Sequence, residues 1–219
     1  MTSETVYESQ RGLDESQARV LEDAWQEVEP ATARKLLIAA VEAFAISGYH
    51  GTTTREIARR ASMSPAGVYV HYRSKEELLY QICHIGHRHT LEMLRAASAR
   101  GTDPAARLTA VVSDFTAWQA RYHTTARIIE YDLNCLSAEH YRAITAQRRQ
   151  ISQLIREILD SGVHDGMFDI DDVTGAARAV LSLGTDVARW YHTSTDGLQP
   201  EELGRFYASL ALRMVRSLA

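Results

Sequence analysis

Proline is scarce in this chain. Only four occur, and three of them, Pro65, Pro104 and Pro200, stand just inside stretches of helical periodicity, where a missing N–H costs nothing. Little is left to interrupt helices elsewhere. No apolar run approaches the ~20 residues of a membrane span, and the opening residues are acidic rather than basic. Neither a span nor a signal peptide is indicated, so a cytoplasmic protein with no membrane partner is expected. Two cysteines, Cys83 and Cys135, lie far apart and suggest no disulfide framework. Lysine is nearly absent, Lys35 and Lys75 standing against 22 arginines, which reads as the codon usage of a G+C-rich genome. Nucleophile elbow, glycine-rich phosphate loop and metal constellation are all missing, which argues against an enzyme, a catalytic residue or a cofactor.

What is present is ordinary in amount and unusual in arrangement. A chain of 219 residues, 45% apolar and 24% charged, can bury a core in one or two domains. Its net charge of −4 argues against nucleic acid until its distribution is read. Between residues 31 and 75, Arg34, Lys35, Arg55, Arg59, Arg60, Arg73 and Lys75 face only Glu42 and Glu56, a local balance of +5, while residues 1–30 carry −6. A compact basic segment on an acidic body fits a DNA-binding module joined to something else.

The periodicity predicts an all-α chain: a three-helix helix-turn-helix domain followed by a helical bundle. Residues 1–30 read as an acidic extension, mobile at its start, with Leu21, Trp25 and Val28 at the spacing of a docked amphipathic helix. A helix over about 31–47 aligns Leu36, Leu37, Ala40, Val41 and Phe44 and ends at Gly48. Thr53 with Glu56 forms a capping box for a second helix that closes near Ala61. Ser64 caps a third, Pro65 takes its first position, and it ends around Tyr72. Ile57, Ala58, Ala61, Met63 and Val68 supply the motif's core. Ser74 with Glu77 is a second capping box and opens a long helix to about Ala97. Two short helices joined by a tight turn make a helix-turn-helix. Five further helices follow near 104–121, 124–135, 138–161, 170–193 and 200–218, and the domains divide as 1–30, 31–78 and 79–219.

The stretch from Thr52 to Leu79, above all Ser64, Tyr69, His71, Tyr72, Ser74, Lys75, Glu77 and Leu78, closely resembles the TetR family of repressors. The resemblance implies a homodimer, a palindromic double-stranded operator, and an effector pocket in the C-terminal domain. Ser62 stands where the family usually has glycine, which asks it to tolerate a left-handed backbone. Tyr72 replaces the more common phenylalanine and is expected in the core. The third helix presents Pro65, Ala66, Gly67, Tyr69, Val70 and His71, with almost no long hydrogen-bonding side chains. Such a face reads DNA through close approach, thymine methyls and shape. Thr53 and Thr54 suit a phosphate at a helix start, with Ser64 beside them, and the resemblance adds Tyr69, His71 and Lys75 as phosphate contacts. Of Arg59 and Arg60, one is expected to face DNA.

In the C-terminal part, Trp118, Tyr122, His123, Arg127, Tyr131, Arg189 and Trp190 are the candidate effector-binding residues, since pockets between bundle helices are lined this way. The segment Arg189 to Leu203 resembles regulators of fatty-acid or sterol degradation that answer to acyl-CoA thioesters, which implies an acyl-CoA effector. Cys83 and His87 share a helix face, but two ligands make no metal site; a part in relaying a conformational signal is the better reading. The dimer is expected through the last two helices, with Val180, Leu181, Leu183, Gly184, Leu203, Phe206, Tyr207, Leu210, Leu212, Met214 and Val215 on the apolar faces and Ala176, Ala177, Ala179, Ala208 and Ala211 permitting close approach.

Overall fold

The computed structural model describes residues 13, 15–192 and 198–216. The expected mobile start, the turn after residue 193 and the last residues of the final helix lie outside them. Ten α-helices and no strand occur among the described residues. They are α1 (Glu15–Ala24), α2 (Ala31–Gly51), α3 (Thr54–Arg60), α4 (Pro65–His71), α5 (Lys75–Arg100), α6 (Pro104–Arg121), α7 (His123–Tyr131), α8 (Ala138–His164), α9 (Val173–Trp190) and α10 (Pro200–Val215). The expected helix over 124–135 is instead α7 followed by a 3-10 turn at Leu133–Cys135.

Two compact units emerge. The first joins the residues up to Gly86 with Thr124–Arg142, and the second joins His87–His123 with the residues from Ala143 onward. In the first unit, α1 buries Leu21, with Trp25 just beyond its end, and α2 buries the predicted stripe of Leu36, Leu37, Ala40, Val41 and Phe44. Gly48, at φ 68°, breaks α2 before its last turn, where an ordinary side chain would be strained. Ile57, Ala58 and Val68 are fully buried, whereas Ala61 and Met63 are only half-buried because they flank the turn. Burying side chains of this size contributes about 1.5–3 kcal/mol each before entropy is counted.

The second unit packs Leu108, Val111, Val112 and Phe115 of α6 against Ile151, Ile155, Ile158 and Leu159 of α8, Val180 of α9 and Ala208, Ala211 and Val215 of α10. This core consumes part of the expected dimer face. Val180, Gly184, Leu203 and Val215, together with Ala177, Ala208 and Ala211, are buried within the chain itself. The apolar residues that stay exposed are Leu183, Phe206 and Met214. Helix α10 crosses α6 at Gly204, where a Cβ would run into the main-chain carbonyl oxygen of Ser113.

A methyl group at that crossing meets backbone, which cannot swing aside as a side chain can. Gly204→Ala is therefore expected to destabilise the protein by roughly 1–3 kcal/mol. Gly51→Ala, with nothing tighter than an ordinary contact to the Ser47 Cβ, is expected to leave stability within about 0.5 kcal/mol. Denaturant unfolding of the two variants checks the contrast.

Candidate nucleic-acid interface

The reading element is α4, and the chain fixes both of its ends. Ser64 Oγ accepts from the Gly67 N–H at 3.1 Å, and Pro65 occupies the first turn. At the other end the Tyr72 hydroxyl donates to the Ala33 carbonyl at 3.2 Å. Tyr72 is buried, and that burial, with Glu77 nearby, pushes its phenol well above the usual range. It is a core residue, as its place in the sequence implied. The turn before α4 runs through Ser62 at φ 55°, a left-handed position held by a non-glycine residue. Between these fixed ends, Pro65, Ala66, Tyr69 and Val70 face outward, with Val70 78% exposed and Tyr69 55%. Gly67 sits half-buried over Met63.

Helix α3 supports this face. The Thr53 hydroxyl accepts from the Glu56 N–H at 3.2 Å. Glu56 does not complete the box; its carboxylate takes Arg60 at 3.1 Å instead. Arg60 also lies 3.9 Å from Glu42 and so belongs to the module's own ion pairs, whereas Arg59 is exposed. The Thr54 hydroxyl and the Tyr69 hydroxyl are 3.2 Å apart, placing two polar hydrogens and two acceptors at one spot on the surface. His71 Nε2 lies 3.0 Å from the hydroxyl of Thr32 at the start of α2. Thr32 was not among the residues expected at the interface. Thirty-nine positions separate it from His71, and only the fold brings the two together. Arg55 and Arg73 are exposed as well.

Lys75, expected as a phosphate contact, also holds the scaffold together. Its ammonium donates to the Tyr49 carbonyl at 2.6 Å and to the Thr52 carbonyl at 2.7 Å, and it sits 4.2 Å over the Tyr49 ring. These carbonyls lie where α2 breaks and α3 has not begun, so no helix satisfies them. Thr52, buried beside them, closes the same bend by donating to the Ala43 and Gly48 carbonyls. Lys75 positions the reading module.

The segment Thr124–Arg142 is tied to this unit through the start of α5. Glu76 accepts from the Ser137 N–H at 2.7 Å and pairs with His140 Nδ1 at 2.8 Å. The His140 ring stacks on Tyr80 at 3.8 Å between centroids. Cys135 Sγ lies 3.6 Å from His50 Nε2, and burial with Asp132 nearby raises its thiol above the usual range. Cys83 is buried in α5. Among the described residues no group of three or more metal-ligating side chains converges.

The expected effector residues divide between the units. Arg127 and Tyr131 fall in the first, where Tyr131 is exposed. Trp118, Tyr122, His123, Arg189 and Trp190 fall in the second. There the Trp118 and Tyr122 rings lie 5.5 Å apart, and Tyr191 stands edge-on to both His123 and Trp190. Arg189 turns outward and pairs with Asp186 one turn back at 2.9 Å, so it stands apart from the aromatic cluster.

Residues 36–82 match the family of bacterial regulatory proteins, tetR family, and residues 101–215 match the tetracyclin repressor-like C-terminal domain. The HTH-type transcriptional repressor KstR2 of Rhodococcus jostii (strain RHA1) is 28% identical over 81% of this chain and 88% of its own length. A crystallised tetR-family regulatory protein from Rhodococcus RHA1 is 39% identical, with a TM-score of 0.81 over 87% of this chain and 100% of that one. AibR, solved in complex with isovaleryl coenzyme A and operator DNA, shares the fold at a TM-score of 0.74 and 24% identity, over 84% of this chain and 98% of its own.

Lys75→Met is expected to cost the module on the order of 2–3 kcal/mol by stranding two carbonyls, and to weaken DNA binding without changing its salt slope. Arg59→Ala is expected to leave stability within about 0.5 kcal/mol and to reduce the slope of log affinity against log salt by about one. Fluorescence anisotropy with a DNA duplex across a salt series separates the two effects.

Proposed function

The chain belongs to the TetR family of bacterial transcriptional regulators, and on that premise we propose a homodimeric repressor of a palindromic operator, released by an acyl-CoA. Its relatives are DNA-binding regulators rather than enzymes. The observation that carries the DNA reading is the outward face of α4: Pro65, Ala66, Tyr69 and Val70, apolar and exposed on a helix anchored at both ends. Exposed apolar surface on a rigid element marks a contact site. In a major groove it meets thymine methyls and reads groove shape, having few long side chains for bidentate base contacts. Thr53, Thr54, Tyr69 and His71 border it with hydroxyls and an imidazole that suit phosphate oxygens. The exposed Arg55, Arg59 and Arg73 add the long-range attraction.

The homodimer is supported by Leu183, Phe206 and Met214, apolar residues left exposed on α9 and α10. A two-fold axis through such a face makes the interface isologous and matches a palindromic site whose halves lie about 34 Å apart, one turn of DNA. An acyl-CoA effector is supported by AibR's complex with isovaleryl coenzyme A, and by two aromatic groups in the second unit, Trp118 with Tyr122 and Tyr191 with His123 and Trp190. A differential affinity of about 1–3 kcal/mol between two states of the dimer would loosen DNA roughly 5- to 150-fold. Helix α5 contributes residues to both units.

Titrating the purified protein with acyl-CoAs, free fatty acids and CoA while following thermal unfolding tests this reading. A ligand that binds only the folded state raises the midpoint, and the reading expects acyl-CoAs to do so selectively. A flat response across the panel would remove the acyl-CoA and leave a DNA-binding regulator with another effector or none.

A further inference from the structure

Two polar side chains in the second unit are buried without a use. Thr116 and Gln119 lie three residues apart on α6 and so share a face. Both are 0% exposed, and among the described residues neither the Thr116 hydroxyl nor either end of the Gln119 carboxamide has a hydrogen-bond partner. Buried polar groups are satisfied in the great majority of native structures, and each exception calls for a physical reason. Packing does not supply one here. Valine and methionine would fill the same space as threonine and glutamine without the cost of stranding a hydroxyl and an amide.

The surroundings point to a ligand of particular chemistry. His123, the first residue of α7, is buried just beyond the end of α6, with its Nδ1–H donating to the Ala120 carbonyl at 3.0 Å and its ring edge-on to Tyr191. Helix α9 passes at Gly184, where an added methyl would strike the Phe115 ring at 2.6 Å and come within 3.5 Å of the Thr116 hydroxyl. The polar atoms are thus set among rings and aliphatic carbon. No lysine or arginine is buried among the described residues, and Arg121, two positions from Gln119, is exposed and paired with Glu201. A carboxylate or phosphate brought to this face would find no buried cation to offset its desolvation.

We infer that Thr116 and Gln119 recognise a neutral group carrying a carbonyl beside an N–H, a secondary amide. Gln119 Nε2–H donates to the amide carbonyl while Oε1 accepts the amide N–H, and the Thr116 hydroxyl adds a third bond. The pantetheine arm of a coenzyme A thioester carries such amides, so the assignment rests on the effector reading above and sharpens it. The arm is bound inside the unit, and the phosphates stay outside.

The test uses the full chain, its Gln119→Met and Thr116→Val variants, and three probes of one acyl length: octanoate, S-octanoyl-pantetheine and octanoyl-CoA. Calorimetry and thermal unfolding are read together. Expected are binding of both amide-bearing probes but not octanoate, and a loss of about tenfold or more in their affinity in Gln119→Met. The unliganded variants are expected to unfold at or above the wild-type midpoint, because stranded polar atoms have been removed. A fall of the Gln119→Met midpoint with probe affinity unchanged would overturn the inference and make Gln119 a satisfied structural residue. Octanoate binding as tightly as the amide probes, indifferent to Gln119→Met, would overturn the amide but leave a lipid effector standing. If no probe binds the wild type, the effector reading fails and this inference falls with it.

Discussion

Two main-chain carbonyls, those of Tyr49 and Thr52, converge on a single ammonium, and the geometry of the reading head depends on that meeting. They belong to the bend where α2 breaks at Gly48 and before α3 is capped by Thr53, a place where backbone acceptors are left over by both helices. The first residue of α5 satisfies them, which ties three helix ends together at one point. Thr53 and Thr54 then sit at a fixed height beside α4, and the Thr54–Tyr69 hydroxyl pair closes the surface. The one lysine in this part of the unit other than the exposed Lys35 is spent on the scaffold. The long-range charge that attracts DNA comes from arginines whose heads remain outside.

The second unit is governed by the opposite condition. Its interior contains polar atoms that nothing among the described residues satisfies, and no buried lysine or arginine accompanies them there. An effector site gains from leaving groups unmet, because the ligand then supplies bonds that the empty protein lacks and binding separates two states by a larger free energy.

Much of the reading head was legible in the sequence because its signals are local. The Ser64 and Thr53 caps, Pro65 at the first turn, the break at Gly48 and the strained Ser62 each depend on residues within four positions of one another. What stayed hidden depends on tertiary meeting. Lys75 carries the motif's expected charge, but only the approach of Tyr49 and Thr52 turns it inward. Thr32 gave no signal either, since only the start of α2 lying beside His71 brings the two together. Arg189 looked like a pocket arginine until its helical position set it facing outward toward Asp186. The expected dimer face shrank for a related reason: hydropathy marks which residues avoid water, not whether the chain's own core or a second copy covers them. Thr116 and Gln119 gave no signal at all, since a polar residue on a helix reads as exposed by default.

The most direct measurement is footprinting of the full chain on DNA selected from random sequence for binding to it, combined with the mass of the bound complex. A dimer protecting two inverted half-sites centred about one helical turn apart, 10–10.5 base pairs or a multiple of it, is the predicted result. A monomer on an asymmetric site, or no site selected above random DNA, would contradict the account.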